Sequence, residues 1–369
     1  MTYLRRAIKS FFYYCILLTV ILTALVLLHV TEANVQTLFR GGWTSVGQIL
    51  LLFAIVAAIY PRFGYTTKDA LLPEGQASDG ESGERDRLIE LMQNRGYRLM
   101  TDGDVMNETE LREALKDDRF LEDVCFFRQI DSTNLEVKRR ADQGARGPLL
   151  IVADEQTAGR GRRGRNWSSP PGTSIYMSLL LRPKIRPENA SMLTLVCALA
   201  VAGAIAETTG LGTAIKWPND VVIRGKKICG ILTEMNTEMG EIGFVVPGIG
   251  INVNTTDFPE EIRETATSLK LELGRDVLRT PVVAAFVRCF ARYYETFLKT
   301  EDLSALKPVY EKLLVNRDRQ VLVLDPAGEW KGVAKGITRT GELLVQREDG
   351  SIAEVRSGEV SVRGIYGYV

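Results

Sequence analysis

Residues 154–167 read D-E-Q-T-A-G-R-G-R-R-G-R-N-W, so Gly159, Gly161 and Gly164 alternate with Arg160, Arg162, Arg163 and Arg165. Glycine lets a backbone turn sharply and come close to a ligand. Arginine offers a planar, permanently charged fork that matches carboxylate or phosphate. Strand-like apolar segments lie on both sides, at 148–153 and 173–181. A flap that closes over an anion fits these properties, but three other readings fit the same letters. Gly159, Gly161 and Gly164 satisfy the dinucleotide pattern G-x-G-x-x-G, which needs a helix directly after it. The residues that follow, N-W-S-S-P-P-G, cannot open one. A basic run also suits a polyanion contact or a solvated loop.

Other chemistry-bearing residues lie at the ends of predicted elements. Ser132, Thr133 and Asn134 fall between a strand at 124–130 and a helix running to Gly144. Thr133 and Glu136 have capping-box spacing, so these polar groups either face a pocket or only cap the helix. Lys216 ends a short strand and opens K-W-P-N-D, where Pro218 forces a turn. A lysine so placed either decorates the surface or aims a point charge at a phosphate. The stretch K-I-C-G-I-L-T-E at 227–234 reads as a strand with Gly230 inside it. A glycine there marks close approach of a ligand or of another backbone. Residues 242–252 form a second glycine-punctuated strand that ends at Asn252.

The totals narrow the chemistry. The 369 residues leave room for two or three domains, and 46 basic residues balance 46 acidic ones. No overall charge favours nucleic acid. The single histidine, His29, sits in an apolar run, which removes most histidine-based catalysis and most zinc sites. Five scattered cysteines without a C-x-x-C pair suit reduced core thiols.

The elements that must position these residues divide the chain. Residues 10–30 and 43–60 are apolar runs of about 20 residues, each long enough for one bilayer crossing. Arg5, Arg6 and Lys9 precede the first run and Arg62 and Lys68 follow the second, which puts both ends in the cytoplasm. The resulting expectation is a two-span membrane anchor over 1–68, an acidic flexible linker over 69–86 and a helical connector over 87–120. Within that connector, 87–94 and 108–117 read as short helices, the second capped by Asn107 or Thr109. Beyond it, 186–210 reads as a buried alanine-rich helix, and 281–298 and 303–314 as two more. After Arg319 come short strands separated by turns, which suggest a small β-barrel over 317–369. The fold class read from this pattern is α+β.

Five motifs stand in one order: D-S-T-N at 131–134, G-R-G-R-R-G-R-N-W at 159–167, K-W-P-N-D at 216–220, K-I-C-G-I-L-T-E at 227–234 and G-I-G-I-N at 248–252. In that order the chain resembles the biotin protein ligases, from about residue 121 to its C terminus. The resemblance implies a mixed sheet with helices, of the class II synthetase-like biotin/lipoate ligase type, over 121–316. An SH3-like β-barrel would follow. It also implies that biotin and ATP react to biotinyl-adenylate and pyrophosphate with Mg2+, and that a lysine on the carrier domain of a carboxylase or decarboxylase then takes the biotinyl group.

By the same resemblance, Ser132, Thr133, Asn134, Gln156 and Gly230 line the biotin site. Arg160, Gly161 and Arg162 close over biotin and the adenylate. Lys216, with Arg162, serves the reacting carboxylate and α-phosphate. Arg160, Arg162, Arg163, Trp167, Lys227 and Asn252 belong to the nucleotide site, and Asn219 and Asp220 to magnesium. Lipoate ligases share the fold but carry an R-R-x-S-G-G-G-type motif that this sequence lacks. A ligase for lipoate or octanoate stays an alternative, as does a membrane-tethered biotin sensor with little turnover.

Many bacterial relatives begin with a DNA-binding winged helix. R-G-Y-R-L at 95–99 resembles the end of one, but only roughly 35 residues separate it from the second apolar run. A complete winged helix does not fit there, so no DNA binding is expected. A homodimer is compatible with the resemblance.

Overall fold

The computed structural model describes residues 104–325, 328–356 and the backbone of 361–364. The chain divides into two units, Met1–Leu99 and Met100–Val369, and every described residue belongs to the second. The expected spans at 10–30 and 43–60, the linker at 69–86 and the helix at 87–94 lie outside the described residues.

Seven strands form the main sheet: β1 (Asp123–Phe127), β2 (Leu149–Ala153), β3 (Ser174–Leu180), β4 (Ala214–Lys216), β5 (Asp220–Ile223), β6 (Lys226–Glu238) and β7 (Glu241–Asn252), in the order β1-β2-β3-β7-β6-β5-β4. β1 and β2 run parallel and every other neighbour is antiparallel, so the sheet is mixed. β2 and β3 are buried at every position. Their continuous sequences, LLIVA and SIYMSLL, are those of strands covered on both faces. Alternate side chains go to opposite sides, as the pleat requires. Leu149 and Ile151 pack with Val137 and Ala141 of α2 (Thr133–Asp142). Leu150 and Val152 join the larger core formed with α3 (Leu193–Thr209) and α5 (Arg279–Thr300).

The helix expected at 186–210 is α3, preceded by a 3-10 turn at Pro187–Met192 and closed by Gly210 at φ 74°. It is long and apolar enough to cross a membrane, yet it is largely buried inside the fold. α1 (Glu108–Ala114) is capped by Asn107, whose side chain accepts from the Glu110 N–H at 3.0 Å. Two expectations need correction. The capping box at Thr133 and Glu136 does not form, because Ser132 is the N-cap and makes no side-chain cap bond. Glu136 turns instead to Arg139 and Arg140 of its own helix, which outcompete a cap bond by carrying full charge. The segment after K-W-P-N is not only a turn, since β4 and β5 pair as a tight hairpin with Lys216 opposite Asp220.

A short α4 (Leu269–Leu273) follows β7, and α6 (Lys307–Leu313) leads into the C-terminal sheet. That sheet is antiparallel and contains β8 (Gln320–Asp325), β9 (Gly328–Ile337), β10 (Leu343–Gln346), β11 (Ile352–Val355) and β12 (Ser361–Gly364), in the order β11-β10-β9-β8-β12. Its inner residues Val321, Val323, Ile337 and Leu343 belong to the same core as α3 and α5. The junction is fastened at Trp217, which is fully buried. Its indole Nε1–H donates to the Gly341 carbonyl at 2.9 Å, and its backbone N–H donates to Asn316 Oδ1 at 3.1 Å. The turn after β4 is thus tied directly to the C-terminal sheet.

Candidate active site

The floor of the cavity is made of backbone. Where β6 and β7 pair, Gly230 stands opposite Gly250 and Leu232 opposite Gly248. A Cβ on Gly230 or Gly250 would come within 2.8 and 2.6 Å of the Trp167 ring, and one on Gly248 would collide with the Asn134 amide. The three glycines therefore leave a floor free of side chains on two adjacent strands, against which the Trp167 ring and the Asn134 amide pack. Ser132, Thr133, Asn134 and Gln156 wall it on one side. Arg160, Gly161, Arg162, Trp167, Asn219 and Lys227 complete the enclosure.

Hydrogen bonds fix the polar end. The Thr133 backbone N–H donates to Gln156 Oε1 at 2.9 Å, so Gln156 must point its amide N–H toward Ser169 Oγ, 3.0 Å away. Ser178, buried on β3, donates to Asn134 Oδ1 at 2.6 Å. Asn134 Nδ2 donates to Glu234 Oε2 at 2.7 Å, and Lys138 Nζ holds the other carboxylate oxygen at 2.6 Å. Each amide orientation follows, since a carboxylate can only accept. Burial pushes the Glu234 carboxyl up, but the bonds from Lys138 and Asn134 outweigh it and hold the carboxyl below its usual range. The site thus offers a wall of donors and acceptors that cannot easily rotate.

The other end carries two cations, held by consecutive residues of the β4–β5 turn. Asn219 Oδ1 accepts from Arg162 Nη1 at 2.8 Å. Asp220 Oδ1 lies 2.6 Å from Lys227 Nζ. Asn219 is itself anchored to the floor, its Nδ2 donating to the Ile231 carbonyl at 3.1 Å. Lys227 Nζ also sits 5.4 Å from the centre of the Trp167 ring, within cation–π range. Burial lowers the Arg162 pKa, Asp220 opposes that, and Arg163 adds to it. A guanidinium so displaced is still charged at neutral pH.

The glycine-arginine segment folds into a narrow hairpin over this end. Arg160 bridges Asn166, the Gly161 N–H donates to the Arg165 carbonyl at 2.7 Å, and the Trp167 N–H donates to the Gly159 carbonyl at 3.0 Å. A 3-10 turn at Arg162–Gly164 forms the tip, where Arg163 and Gly164 have φ 58° and 69°. No α-helix follows, which removes the dinucleotide reading.

Most of the residues singled out in the sequence meet here, but four do not line the cavity. Lys216 is buried with 6 % exposure at the end of β4, and Lys227 rather than Lys216 reaches the cavity. The reason is geometric: the hairpin pairs Lys216 with Asp220, while Lys227 lies on the strand that forms the floor. Arg163 is exposed at the loop tip. Asn252 donates to the Thr267 carbonyl at 3.1 Å, away from the lining. Asp220 stands behind Lys227. Of the oxygens expected near magnesium, Asn219 Oδ1 and Asp220 Oδ1 face Arg162 and Lys227 in this structure. Among the described residues, no cluster of three histidine, cysteine or acidic side chains could hold a metal ion.

Ser178 and Lys138 fall outside the five motifs, and Glu234, Gly248 and Gly250 lie inside them without an assigned role. A serine inside the apolar strand SIYMSLL, and glycines spaced by two on neighbouring strands, were the available signals.

Residues 126–252 match the biotin/lipoate A/B protein ligase family, and residues 318–363 match the biotin protein ligase C-terminal domain. The chain is 36 % identical over 276 residues to the bifunctional ligase/repressor BirA of Bacillus subtilis, covering 74 % of this chain and 84 % of that one. It is 32 % identical over 221 residues to the biotin--[acetyl-CoA-carboxylase] ligase of Paracoccus denitrificans, covering 58 % of this chain and 91 % of that one. Among solved structures, the biotin protein ligase from Aquifex aeolicus in complex with biotin and ATP superposes with a TM-score of 0.59 at 33 % identity, covering 66 % of this chain and 99 % of that one.

A methyl group at position 248 tests the floor. Gly248→Ala must push Asn134 off Ser178 and Glu234, leaving buried polar groups unpaired, so unfolding in urea should show a loss of about 1–3 kcal/mol. An unchanged midpoint and slope would contradict the packing described.

Proposed function

This chain belongs to the biotin protein ligase family, and we infer from that premise that it is an ATP-dependent ligase that attaches biotin to a lysine of a carrier domain. A carboxylate oxygen of biotin attacks the α-phosphorus of ATP and pyrophosphate leaves, giving biotinyl-adenylate. The carrier lysine amine then attacks the acyl carbon, AMP leaves, and an amide remains. The observation that carries the reading is one cavity with a fixed polar wall at one end and two cations, Lys227 and Arg162, at the other.

Each part of the cavity has a task in this reading. Ser132, Thr133, Asn134 and Gln156 receive the polar head of biotin. Attack by a carboxylate on a phosphate brings negative groups together, and cations already in place offset that charge without reorganising. Lys227 is the stronger candidate for the reacting carboxylate and α-phosphate, because it reaches the cavity and Lys216 does not. Arg160 and Arg162, on the hairpin, close over the adenylate. Trp167 packs the hairpin onto the glycine floor and offers a flat face to the nucleotide. Water would destroy the mixed anhydride, so a closing loop protects the intermediate. Magnesium is expected to arrive with ATP on its phosphate oxygens, and no side chain here is assigned to it. The C-terminal sheet, read as a small SH3-like barrel, is the expected neighbour of the carrier domain.

The membrane reading joins this as a separate part of the proposal. The apolar runs at 10–30 and 43–60, with basic residues outside both ends, support a tethered enzyme whose ligase domain faces the cytoplasm. DNA binding stays outside the proposal, for the lack of space noted between 61 and 94. Full-length protein recovered in the supernatant after cell fractionation would overturn the tether.

Pyrophosphate release with biotin, compared with lipoate and octanoate, tests the chemistry. Biotin alone should support turnover, with label then appearing on a carrier domain. Lys227→Ala should lower kcat/KM by about 100-fold or more, as loss of a preorganised charge does, and Lys216→Ala should cost clearly less. The reverse ranking would return the catalytic role to Lys216, and turnover only with the other acids would replace biotin as the substrate.

A further inference from the structure

The glycine-arginine loop has a neck, and the neck is braced by residues that do not line the cavity. Asp154 begins the loop and Gly172 ends it. The Gly172 N–H donates to Asp154 Oδ1 at 3.1 Å, closing the loop at its base. The same oxygen accepts from Arg279 Nη1 at 2.6 Å. Arg279 is the first residue of α5, and its side chain is 2 % exposed. It also donates to the Ser174 carbonyl at 3.1 Å, at the start of β3, which is the strand the loop returns to. A second carboxylate, Asp104, pairs with Arg279 Nε and accepts the Arg279 backbone N–H at 3.0 Å. Burial works against the guanidinium charge, but the two carboxylates outweigh it and hold the Arg279 pKa above its ordinary value.

A buried arginine shared by two carboxylates is costly to assemble and contributes little net stability compared with an apolar replacement. Such a cluster does supply a fixed geometry. Here that geometry joins three places: the segment that enters the described fold at Asp104, the first turn of α5, and both ends of the loop. Gln156, in the cavity wall, follows Asp154 by two residues, and its N–H donates to the Ser169 carbonyl near the loop's far end at 3.1 Å. Movement at the neck therefore reaches the cavity wall as well as the flap.

We propose that Asp154, gripped by Arg279, which Asp104 holds in place, is a positioning residue that keeps the two ends of the 154–172 loop together, so that the closed loop retains the acyl-adenylate until an acceptor amine arrives. The proposal rests on the ligase reading. It requires that loosening the neck lets the mixed anhydride escape or meet water, whose oxygen then takes the acyl group and releases AMP, so that turnover continues with no acceptor present.

The test is a ratio measured on the full chain: biotin-dependent pyrophosphate release without acceptor, divided by biotin transfer to a saturating carrier domain. Both rates scale with the amount of folded enzyme, so the ratio is blind to simple destabilisation. Asp154→Ala should raise it by about tenfold, in line with the sensitivity of positioned reactions to small displacements. Asp154→Asn keeps an acceptor oxygen for Gly172 and Arg279 and should restore most of the coupling. If Asp154→Ala is not recovered folded, Asp104→Asn, which leaves Arg279 a single carboxylate, should raise the ratio in the same direction. A ratio equal to wild type in these variants, whether or not both rates fall, would overturn the proposal. Wild-type protein that releases no pyrophosphate with biotin would overturn the ligase reading itself, and the neck proposal with it.

Discussion

Two positive charges held at one cavity are the constraint on which the rest of the structure depends. Arg162 and Lys227 both lose hydration as the cavity encloses them, so each needs a fixed partner. Consecutive residues of one tight turn supply both: Asn219 for the guanidinium and Asp220 for the ammonium. That turn must therefore be rigid. It is anchored to the floor through Asn219 and the Ile231 carbonyl, and to the C-terminal sheet through Trp217 and the Gly341 carbonyl. The motif K-W-P-N-D thus has a physical division of labour. Tryptophan fastens the turn, asparagine and aspartate hold the cations, and lysine ends the strand beneath it. The C-terminal sheet, remote in sequence, takes part in the site through this turn.

The opposite end of the cavity solves a different problem. A neutral polar ligand head is distinguished only if donors and acceptors hold their directions. Thr133 fixes Gln156, and Ser178 with Glu234 fixes Asn134, so the amides cannot exchange oxygen for nitrogen. Between the two ends the sheet removes its own side chains. Gly230, Gly248 and Gly250 lie on paired strands, and their absent Cβ atoms make room for the Trp167 ring and the Asn134 amide at the floor of the cavity. Polar selectivity, an open floor and a charged mouth together form a site for a molecule with a polar head, an apolar middle and an acid at its tail.

Much of this was legible before any coordinates. The glycine-arginine loop, the strands that flank it, the polar turn at 132–134 and the buried helix after Pro187 follow from local composition and period. The proposed preference for Lys227 over Lys216 has a physical cause. A lysine between a strand and a proline turn has the local marks of an aimed charge, whereas Lys227, inside β6, has none of them. Only the pairing of β4 with β5, and of β6 with β7, decides which of the two reaches the cavity. The same limit hid Ser178 and the brace at Arg279, whose partners Asp104 and Asp154 are 175 and 125 residues away in sequence. The capping box was overridden locally instead, because Glu136 has charged partners three and four residues on in Arg139 and Arg140. The apolar runs at 10–30 and 43–60 rest on composition alone.

The account depends most on the loop at 159–167 ordering over the trough when both substrates are present. Hydrogen exchange of its backbone amides, followed by mass spectrometry, reads that event directly. With biotin and ATP bound together, exchange across Gly159–Trp167 should slow by at least about tenfold relative to the free protein, because closure protects amides that open readily without ligand. Pyrophosphate release accompanied by unchanged exchange in this segment would contradict the account.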